Sequence, residues 1–275
     1  MIFNNKTVIV TGGSEGVGAA VARKFAEAGA NLMLVARSKK NLEAVAEELR
    51  DLTHVEIFAM DVTDADACVD VFKKSQFEFG RVDILVNNAG CQYHGLVRDV
   101  KADDLGRIID VNLKAPIMLS RIALPYLEEN GGVIVNVASL AGKTAVPGSS
   151  AYSCSKFALR IFSRALADEL RGSDIKIATV SPGPVDTGFI LTNIDEVSDI
   201  TFSQPMSTAE DVAQTILDLC GNNVHEQSMP AFSGFLATLS YLFPWLGRWM
   251  KPSLERKGAN AKREWKRKMQ AQKEA

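Results

Sequence analysis

Short apolar runs that alternate with longer helical patterns are the feature that most constrains the fold of this chain. The runs lie at 7–11, 31–36, 55–60, 84–87, 133–137 and 175–180 and lack the polar alternation of half-exposed strands. Strands of this kind are buried on both faces, as in a parallel sheet covered by helices. Helical patterns separate them, near 17–28, 38–52, 64–79, 103–128 and 150–170. Alternating strands and helices predict an α/β fold with a doubly wound parallel sheet in a single domain.

The pattern weakens after Pro182. Residues 183–205 are rich in Gly, Pro, Asp, Asn and Thr, which favours a long loop, and long ordered loops are often binding lids. We therefore interpret 188–205 as a substrate loop, followed by a last helix at 208–220. The predicted division is a nucleotide-binding and catalytic domain at 1–222 and a C-terminal segment at 223–275.

The charge distribution excludes one class of partner. Ten basic and three acidic side chains follow residue 247, so this segment carries net charge +7, and residues 1–247 carry −9 of the total of −2. An acidic body gives no basic surface for nucleic acid. Four scattered cysteines and three separated histidines match no disulfide or metal-ligand spacing. Neither a secretory signal nor a membrane-spanning run is evident, so we expect a cytoplasmic protein without a metal.

A glycine-rich loop, TGGSEGVG at 11–18, follows the first strand and precedes a helix. Glycines let a backbone approach a pyrophosphate, and the amide groups that begin the helix point at the anion. The strand before this loop and the helix after it favour a dinucleotide-binding (Rossmann) fold over an ordinary strand-to-helix turn.

Arg37 and Ser38 follow the second strand, where NAD-binding sheets place an acid that accepts the ribose 2′-hydroxyl. Arginine instead pairs with a 2′-phosphate, and Ser38 can donate a second hydrogen bond. The sequence therefore favours NADP(H). NAD remains the alternative for two reasons. Arg37 could be a solvated surface charge that contacts no cofactor, and the acidic Glu15 inside the phosphate loop would lie near the same phosphates.

Tyr152 and Lys156 are four residues apart in a helical pattern, so both side chains share one face. A neighbouring ammonium favours a phenolate and lowers its pKa, which suits the phenol to acid–base chemistry. The same spacing also occurs in surface pairs.

Several motifs in one order resemble the short-chain dehydrogenase/reductase family. They are TGGSEGVG at 11–18, Asp61-Val62, Asn87-Asn88-Ala89-Gly90, Asn112, Ser139, Tyr152 with Lys156, and Pro182-Gly183-Pro184-Val185 with Thr187. The resemblance covers residues from about 7 to 187. It implies a homodimer or homotetramer in many members, and hydride transfer between a nicotinamide cofactor and a carbonyl or alcohol substrate. Given the NADP(H) preference, we expect reduction of a carbonyl by NADPH, with the reverse alcohol oxidation as the alternative direction.

The resemblance also implies residue roles. Tyr152 donates the proton to the carbonyl, or accepts it in the reverse reaction. Lys156 binds the nicotinamide ribose and lowers the pKa of Tyr152, Ser139 polarises the carbonyl, and Asn112 holds a relay water. The implied cofactor contacts are, for the pyrophosphate, Gly12, Ser14, Gly16, Val17 and Gly18; for the 2′-phosphate, Arg37 and Ser38; for adenosine, Asp61, Val62, Asn87, Ala89 and Gly90; and for the nicotinamide, Pro182, Gly183, Val185 and Thr187. The alternative is a non-catalytic dinucleotide sensor or scaffold on the same fold.

The C-terminal segment departs from the motifs of the family. Residues 232–246 (FSGFLATLSYLFPWL) are aromatic and apolar, and the basic segment follows. Aromatic residues beside lysines and arginines are typical of peripheral membrane contact, which we place at 232–268, with Trp265 and Met269 on the apolar side. Such contact would accompany a lipophilic substrate, such as a 3-keto lipid or steroid. A cover over the active site, a subunit contact and a disordered basic tail remain the alternatives.

Overall fold

The parallel sheet organises this computed structural model, which describes residues 3–192 and 194–274. Seven strands form it within those ranges, in the order β3-β2-β1-β4-β5-β6-β7. They are β1 (Thr7–Thr11), β2 (Asn31–Ala36), β3 (Val55–Ala59), β4 (Ile84–Asn87), β5 (Gly132–Val137), β6 (Ile175–Pro182) and β7 (Glu226–Met229). The strand order reverses between β1 and β4, and ligands bind such sheets beyond the carboxyl ends of the strands at that point.

Helices cover both faces of the sheet. On one face pack α1 (Gly16–Glu27), α2 (Lys39–Leu49) and α8 (Ala209–Gly221), through side chains such as Phe25, Leu42 and Ile216. On the other face pack α3 (Ala65–Phe79), α5 (Ala115–Glu128) and α6 (Ser150–Glu169), through side chains such as Phe72, Leu119 and Leu166. The predicted doubly wound, single-domain α/β fold is confirmed.

Local sequence determines where several helices begin. The Ser38 hydroxyl accepts the Asn41 N–H at 3.3 Å and caps α2. Asp64 caps α3 by accepting two backbone N–H groups. Thr208 and Asp211 bond reciprocally to each other's backbone and form a capping box for α8. Each cap satisfies amide groups that the first helical turn leaves without partners.

The helix predicted at 103–128 is interrupted. It consists of α4 (Ala102–Ile109), a π-helical turn (Asp110–Lys114) and α5. Pro116 has no amide hydrogen, so it cannot donate to the carbonyl of Asn112 as a continuous α-helix requires. The chain widens there, and Ala115 donates to Asp110, five residues earlier.

The region at 183–205 contains two short helical segments, α7 (Gly188–Leu191) and a 3₁₀ turn at Asp199–Ser203. Beyond it, β7 pairs in parallel with β6, so the sheet continues past residue 222. Two helices complete the chain, α9 (Ala231–Leu242) and α10 (Pro244–Glu274). In the part of the chain that the structure describes, no helix has both the length and the apolar character needed to cross a bilayer.

Candidate active site

A cavity of about 780 Å³ lies beyond the carboxyl ends of the strands. The residues that directly follow β1, β2, β3, β5 and β6 contribute to its wall, namely Gly12, Arg37, Met60, Ala138 and Gly183. The glycine loop, Arg37, Ser139, Tyr152 and Phe189 all line this one cavity. One cavity therefore contains both an anion-binding loop and the acid–base residues.

The glycine loop has the geometry of a phosphate cradle. Gly12 and Gly16 have φ angles of +69° and +52°, which favour glycine. A Cβ atom at Gly18 would lie 2.0 Å from the Gly12 carbonyl oxygen, so only glycine lets α1 pack this closely on the loop. Asn88 steadies the loop by donating to the Thr11 carbonyl at 3.0 Å.

The start of α1 is the second feature that fits a dinucleotide. The N-cap residue, Glu15, makes no side-chain capping bond to the described residues of this turn. The first amide groups of α1 are thus left for an anion, which the positive end of the helix dipole also favours.

At the predicted adenosine end, Arg37 and Ser38 are exposed on the cavity wall. The Ser38 hydroxyl accepts a bond as the α2 cap, and its own proton stays available for a ligand. The Asp61 carboxylate is paired with Arg107 of α4, a residue that no sequence motif marks. Burial raises the pKa of Asp61, but hydrogen bonds from Thr63 and Arg107 outweigh this and leave the pKa below its usual value.

Most of the predicted site residues line the cavity, but Gly18, Asn87 and Asn112 do not. The Asn87 side chain points into the protein core, where it donates to Asn136 at 2.8 Å. Its neighbour Asn88 lines the cavity instead. Asn112 is buried, with its amide nitrogen donating to the Cys91 carbonyl at 2.9 Å and its oxygen accepting the Cys91 N–H at 2.8 Å. The Asn112 side chain thereby fixes the segment that follows β4.

Tyr152 and Lys156 lie one turn apart on α6, as the spacing predicts. The Lys156 ammonium is 5.8 Å from the centroid of the Tyr152 ring and donates to the Val137 carbonyl at 2.8 Å. Ser139 lies in the loop after β5, and its hydroxyl accepts the Ala141 N–H at 3.1 Å.

Burial shifts the two acid–base groups in opposite directions. It raises the pKa of Tyr152 to about 12, against the lowering effect of the neighbouring Ser139 hydroxyl. It lowers the pKa of Lys156 to about 8. The expectation that Lys156 lowers the pKa of Tyr152 is therefore not met in this structure, since the ammonium is bonded to a backbone carbonyl and desolvation of the phenol dominates.

The rest of the wall consists of residues outside the sequence motifs, among them Phe189 and Gln204, which lie in the predicted substrate loop at 188–205. The Phe189 ring centroid is 6.2 Å from that of Tyr152. Gln92, His94 and Gln204 add polar groups, and Ala237 of α9 brings the C-terminal segment into the wall. The Gln204 side-chain oxygen is buried and has no partner among the described residues, which makes it available to a ligand. No sequence motif marks these residues, because chain folding alone brings them to the cavity.

The C-terminal helices divide between two environments. Gly234 and Ala237 are buried on the inner side of α9, whereas Phe232, Phe235 and Leu242 are exposed on its outer side. Trp265 and Met269 of α10 pack against the apolar cluster of Ile194, Val197 and Phe202. The prediction that Trp265 and Met269 extend the membrane-facing side is wrong, because both contact the substrate loop.

Comparison with known proteins gives a consistent result. A family model described as "short chain dehydrogenase" matches residues 6–196. An uncharacterized oxidoreductase of Staphylococcus aureus (strain USA300) is 32% identical over 226 residues, 82% of this chain and 96% of that protein. Dehydrogenase/reductase SDR family member 7B of Rattus norvegicus is 31% identical over 255 residues, 86% of this chain and 78% of that protein.

Solved structures are similar as well. An alcohol dehydrogenase from the archaeon Thermococcus sibiricus, complexed with 5-hydroxy-NADP, superposes with a TM-score of 0.73 at 28% identity, covering 81% of this chain and 95% of that one. A metagenomic short-chain oxidoreductase in complex with NADP gives a TM-score of 0.71 at 30% identity, covering 83% of this chain and 98% of that one.

Proposed function

Since this chain belongs to the short-chain dehydrogenase family of oxidoreductases, we propose that it is an NADP(H)-dependent reductase of a lipophilic ketone. The observation that carries the proposal is the single cavity shared by the glycine loop, Arg37, Ser139, Tyr152 and Lys156. The NADP and 5-hydroxy-NADP complexes of similar proteins support the choice of cofactor. Cellular NADPH favours reduction, so we place the reaction in that direction.

Tyr152 is the proton donor in this proposal. With a pKa of about 12 the phenol holds its proton throughout the neutral range and delivers it to the carbonyl oxygen of the ketone. Ser139, beside the phenol, hydrogen-bonds the same oxygen and stabilises the charge that develops there. Lys156 remains an ammonium below pH of about 8.

A nicotinamide cofactor would supply the hydride. The chain's own residues bind and orient it: the first amide groups of α1 and the glycine loop hold the pyrophosphate, and Arg37 with Ser38 holds the 2′-phosphate. We assign the nicotinamide end to Pro182, Gly183, Val185 and Thr187, which line the same cavity. The Asn112 side chain acts indirectly, by fixing the Cys91 segment beside Gly90.

The part of the cavity wall outside the assigned cofactor contacts supports a lipophilic substrate. Its apolar side chains include Leu140, Val146, Phe189, Ile190, Val197, Ile200 and Ala237. Gln92, His94, Thr201 and Gln204 provide a few polar contacts in the same wall. An apolar pocket with few polar groups suits a long-chain ketone, a steroid or a 3-keto lipid.

We also propose peripheral contact with an anionic membrane through the outer side of α9 and the beginning of α10. Residues 227–247 contain no charged side chain. The aromatic side chains there are exposed, with Phe232 at 70% and Trp245 at 62%, and Trp249, just beyond this stretch, is exposed at 76%. Arg248, Lys251, Arg256 and Lys257 follow on exposed positions, which suits anionic lipid headgroups.

The test is oxidation of NADPH by the purified full-length protein with a panel of long-chain ketones, steroids and 3-keto lipids, and of NADH in parallel. Turnover of one panel member, faster with NADPH, is the expected result. NADPH binding without turnover of any carbonyl compound would overturn the reductase and favour the sensor. Oxidation of the corresponding alcohol with NADP⁺ should proceed as the reverse reaction and confirm the product.

A further inference from the structure

We propose that α10 shapes the substrate pocket by holding the segment 194–203 from behind, with Gly258 and Lys262 as positioning residues. The expected change in KM for a ketone rests on the proposed function, whereas the expected change in the stability of the segment 194–203 does not. The family model matches residues 6–196, so α10 lies outside the matched part of the chain.

Gly258 is the point of closest approach between α10 and the segment. A Cβ atom at this position would lie 1.7 Å from the carbonyl oxygen of Asp199 and 3.1 Å from the amide nitrogen of Ser203. Both contacts are with backbone, which cannot rotate away as a side chain can. Any larger residue at position 258 must therefore push the helix and the 3₁₀ turn apart.

Lys262, one helical turn further on, binds the segment through its charge. Its ammonium donates to the Val197 carbonyl at 2.7 Å and to the Asp195 carbonyl at 3.2 Å. It also pairs with the Asp199 carboxylate at 3.4 Å, and the Lys262 side chain is only 13% exposed. Charge-assisted hydrogen bonds from a largely buried ammonium hold the segment more firmly than an exposed surface pair would, and substituting Lys262 removes this donor from all three oxygens.

The apolar contacts of the segment also connect it to α10. Ile194, Val197 and Phe202 are buried, and they form a cluster separate from the two clusters that cover the sheet. Their partly buried partners include Ala261, Trp265 and Met269, all on α10. The segment thus gains much of its apolar packing from α10.

The opposite side of the segment forms the cavity wall. Val197, Ile200, Thr201 and Gln204 line the cavity that contains Tyr152 and Ser139. Val197 belongs to both groups, because its side chain is in the α10 cluster and also reaches the cavity. A shift of α10 would therefore move the part of the wall that we assign to the substrate. The cofactor end is formed by the glycine loop and should stay in place.

The first test substitutes Lys262, with Glu264, an exposed residue on the outer side of α10, as the matched control. Lys262→Met should speed amide hydrogen exchange in peptides covering 194–204, measured without ligand, and leave the strands of the sheet unchanged. It should also raise KM for the best ketone of the panel about tenfold, with the Kd of NADPH unchanged. Lys262→Arg should restore most of the slow exchange at 194–204 and most of the low KM for the ketone. Glu264→Met should match the unsubstituted protein in both measurements.

The second test replaces Gly258 by valine, with Asn260→Val as the control for adding a branched side chain to the exposed side of the same helix. Gly258→Val should reproduce the faster exchange at 194–204, and Asn260→Val should not. Unchanged exchange at 194–204 in both Lys262→Met and Gly258→Val would overturn the inference, whether or not a ketone is reduced. If exchange changes but no ketone is turned over, the inference about the segment stands and the proposed reductase fails.

Discussion

The ammonium of Lys156 lies 5.8 Å from the centre of the Tyr152 ring and donates to the Val137 carbonyl, so the two groups are neighbours without a direct hydrogen bond in the described structure. Burial acts on both, raising the pKa of Tyr152 to about 12 and lowering that of Lys156 to about 8. The phenol is thereby kept as an acid, and the ammonium is close to losing its proton under mildly alkaline conditions. The state of Lys156 is thus the more sensitive of the two to pH.

The first prediction concerns stability and pH. Lys156 is only 4% exposed, and its pKa falls from 10.5 to about 8 on folding. Between these values the unfolded chain binds more protons than the folded one, so the contribution of Lys156 to the free energy of unfolding rises with pH. The difference in this free energy, unsubstituted protein minus Lys156→Met, should increase by about 1 kcal/mol between pH 7 and 9.

Urea unfolding of both proteins at the two pH values measures this difference. Lys101→Met, which removes an exposed lysine, is the control, and its difference should stay constant. A difference for Lys156→Met that is constant or falls with pH would show that burial does not lower the pKa of Lys156.

The second prediction concerns the proton donor. Tyr152→Phe retains the ring and its contact with Phe189 but removes the hydroxyl, so NADPH should bind with unchanged Kd. Ketone reduction should slow by about 100-fold to 10,000-fold, the usual contribution of a positioned acid. Tyr93→Phe removes a hydroxyl from another residue of the cavity wall and is the matched control, expected to affect kcat far less. An active Tyr152→Phe protein would rule out the proposed acid.

The third prediction concerns cofactor choice. Arg37→Asp replaces the proposed 2′-phosphate partner by an acceptor for the ribose 2′-hydroxyl, so the ratio of kcat/KM for NADPH over NADH should fall at least about tenfold. Lys40→Asp makes the same change of charge at a nearby exposed residue outside the cavity wall. An equal fall in both variants would indicate a general effect of surface charge, and no fall in Arg37→Asp would exclude the assigned contact.

Six of the seven strands in the described residues could be predicted from the sequence, whereas the polar β7 (Glu226–Met229) falls outside the apolar runs. Strands such as Thr7–Thr11 and Ile84–Asn87 are predictable because a short, uninterrupted apolar run is typical of a strand that is buried on both faces of a covered sheet. The glycine loop follows β1 directly, and Tyr152 and Lys156 share a helix face, so both groupings depend only on local geometry.

Contacts between distant parts of the chain could not be predicted. Arg107 reaches Asp61 across 46 positions of sequence, and the Lys262 ammonium reaches Val197 across 65. The assignment of Asn87 rather than Asn88 to the cavity has a different cause. It follows from the family resemblance, which marks a sequence position and not the direction of a side chain. In the structure Asn87 ends β4 with its side chain in the core, and the half-buried Asn88 lines the cavity.

The last prediction concerns the exposed aromatic surface formed by Phe232, Phe235, Trp245 and Trp249. Full-length protein should sediment with phosphatidylcholine vesicles that contain phosphatidylserine, and less with phosphatidylcholine alone, because basic residues follow the aromatic ones. Replacing Trp245 and Trp249 together by serine should weaken binding at least about tenfold, since both side chains are mostly exposed and available to the headgroup region.

Phe77→Ser is the matched control, because Phe77 is an 85% exposed aromatic residue of α3, outside the proposed surface. It should leave vesicle binding unchanged. The substituted residues lie outside the cavity wall, so NADPH oxidation with a water-soluble ketone should be the same in all three proteins. If the unsubstituted protein does not bind anionic vesicles, and the tryptophan variant instead has a smaller mass in solution, the surface is a subunit interface. Sedimentation equilibrium on the same samples separates these results, because membrane contact leaves the mass in solution unchanged and a lost interface lowers it.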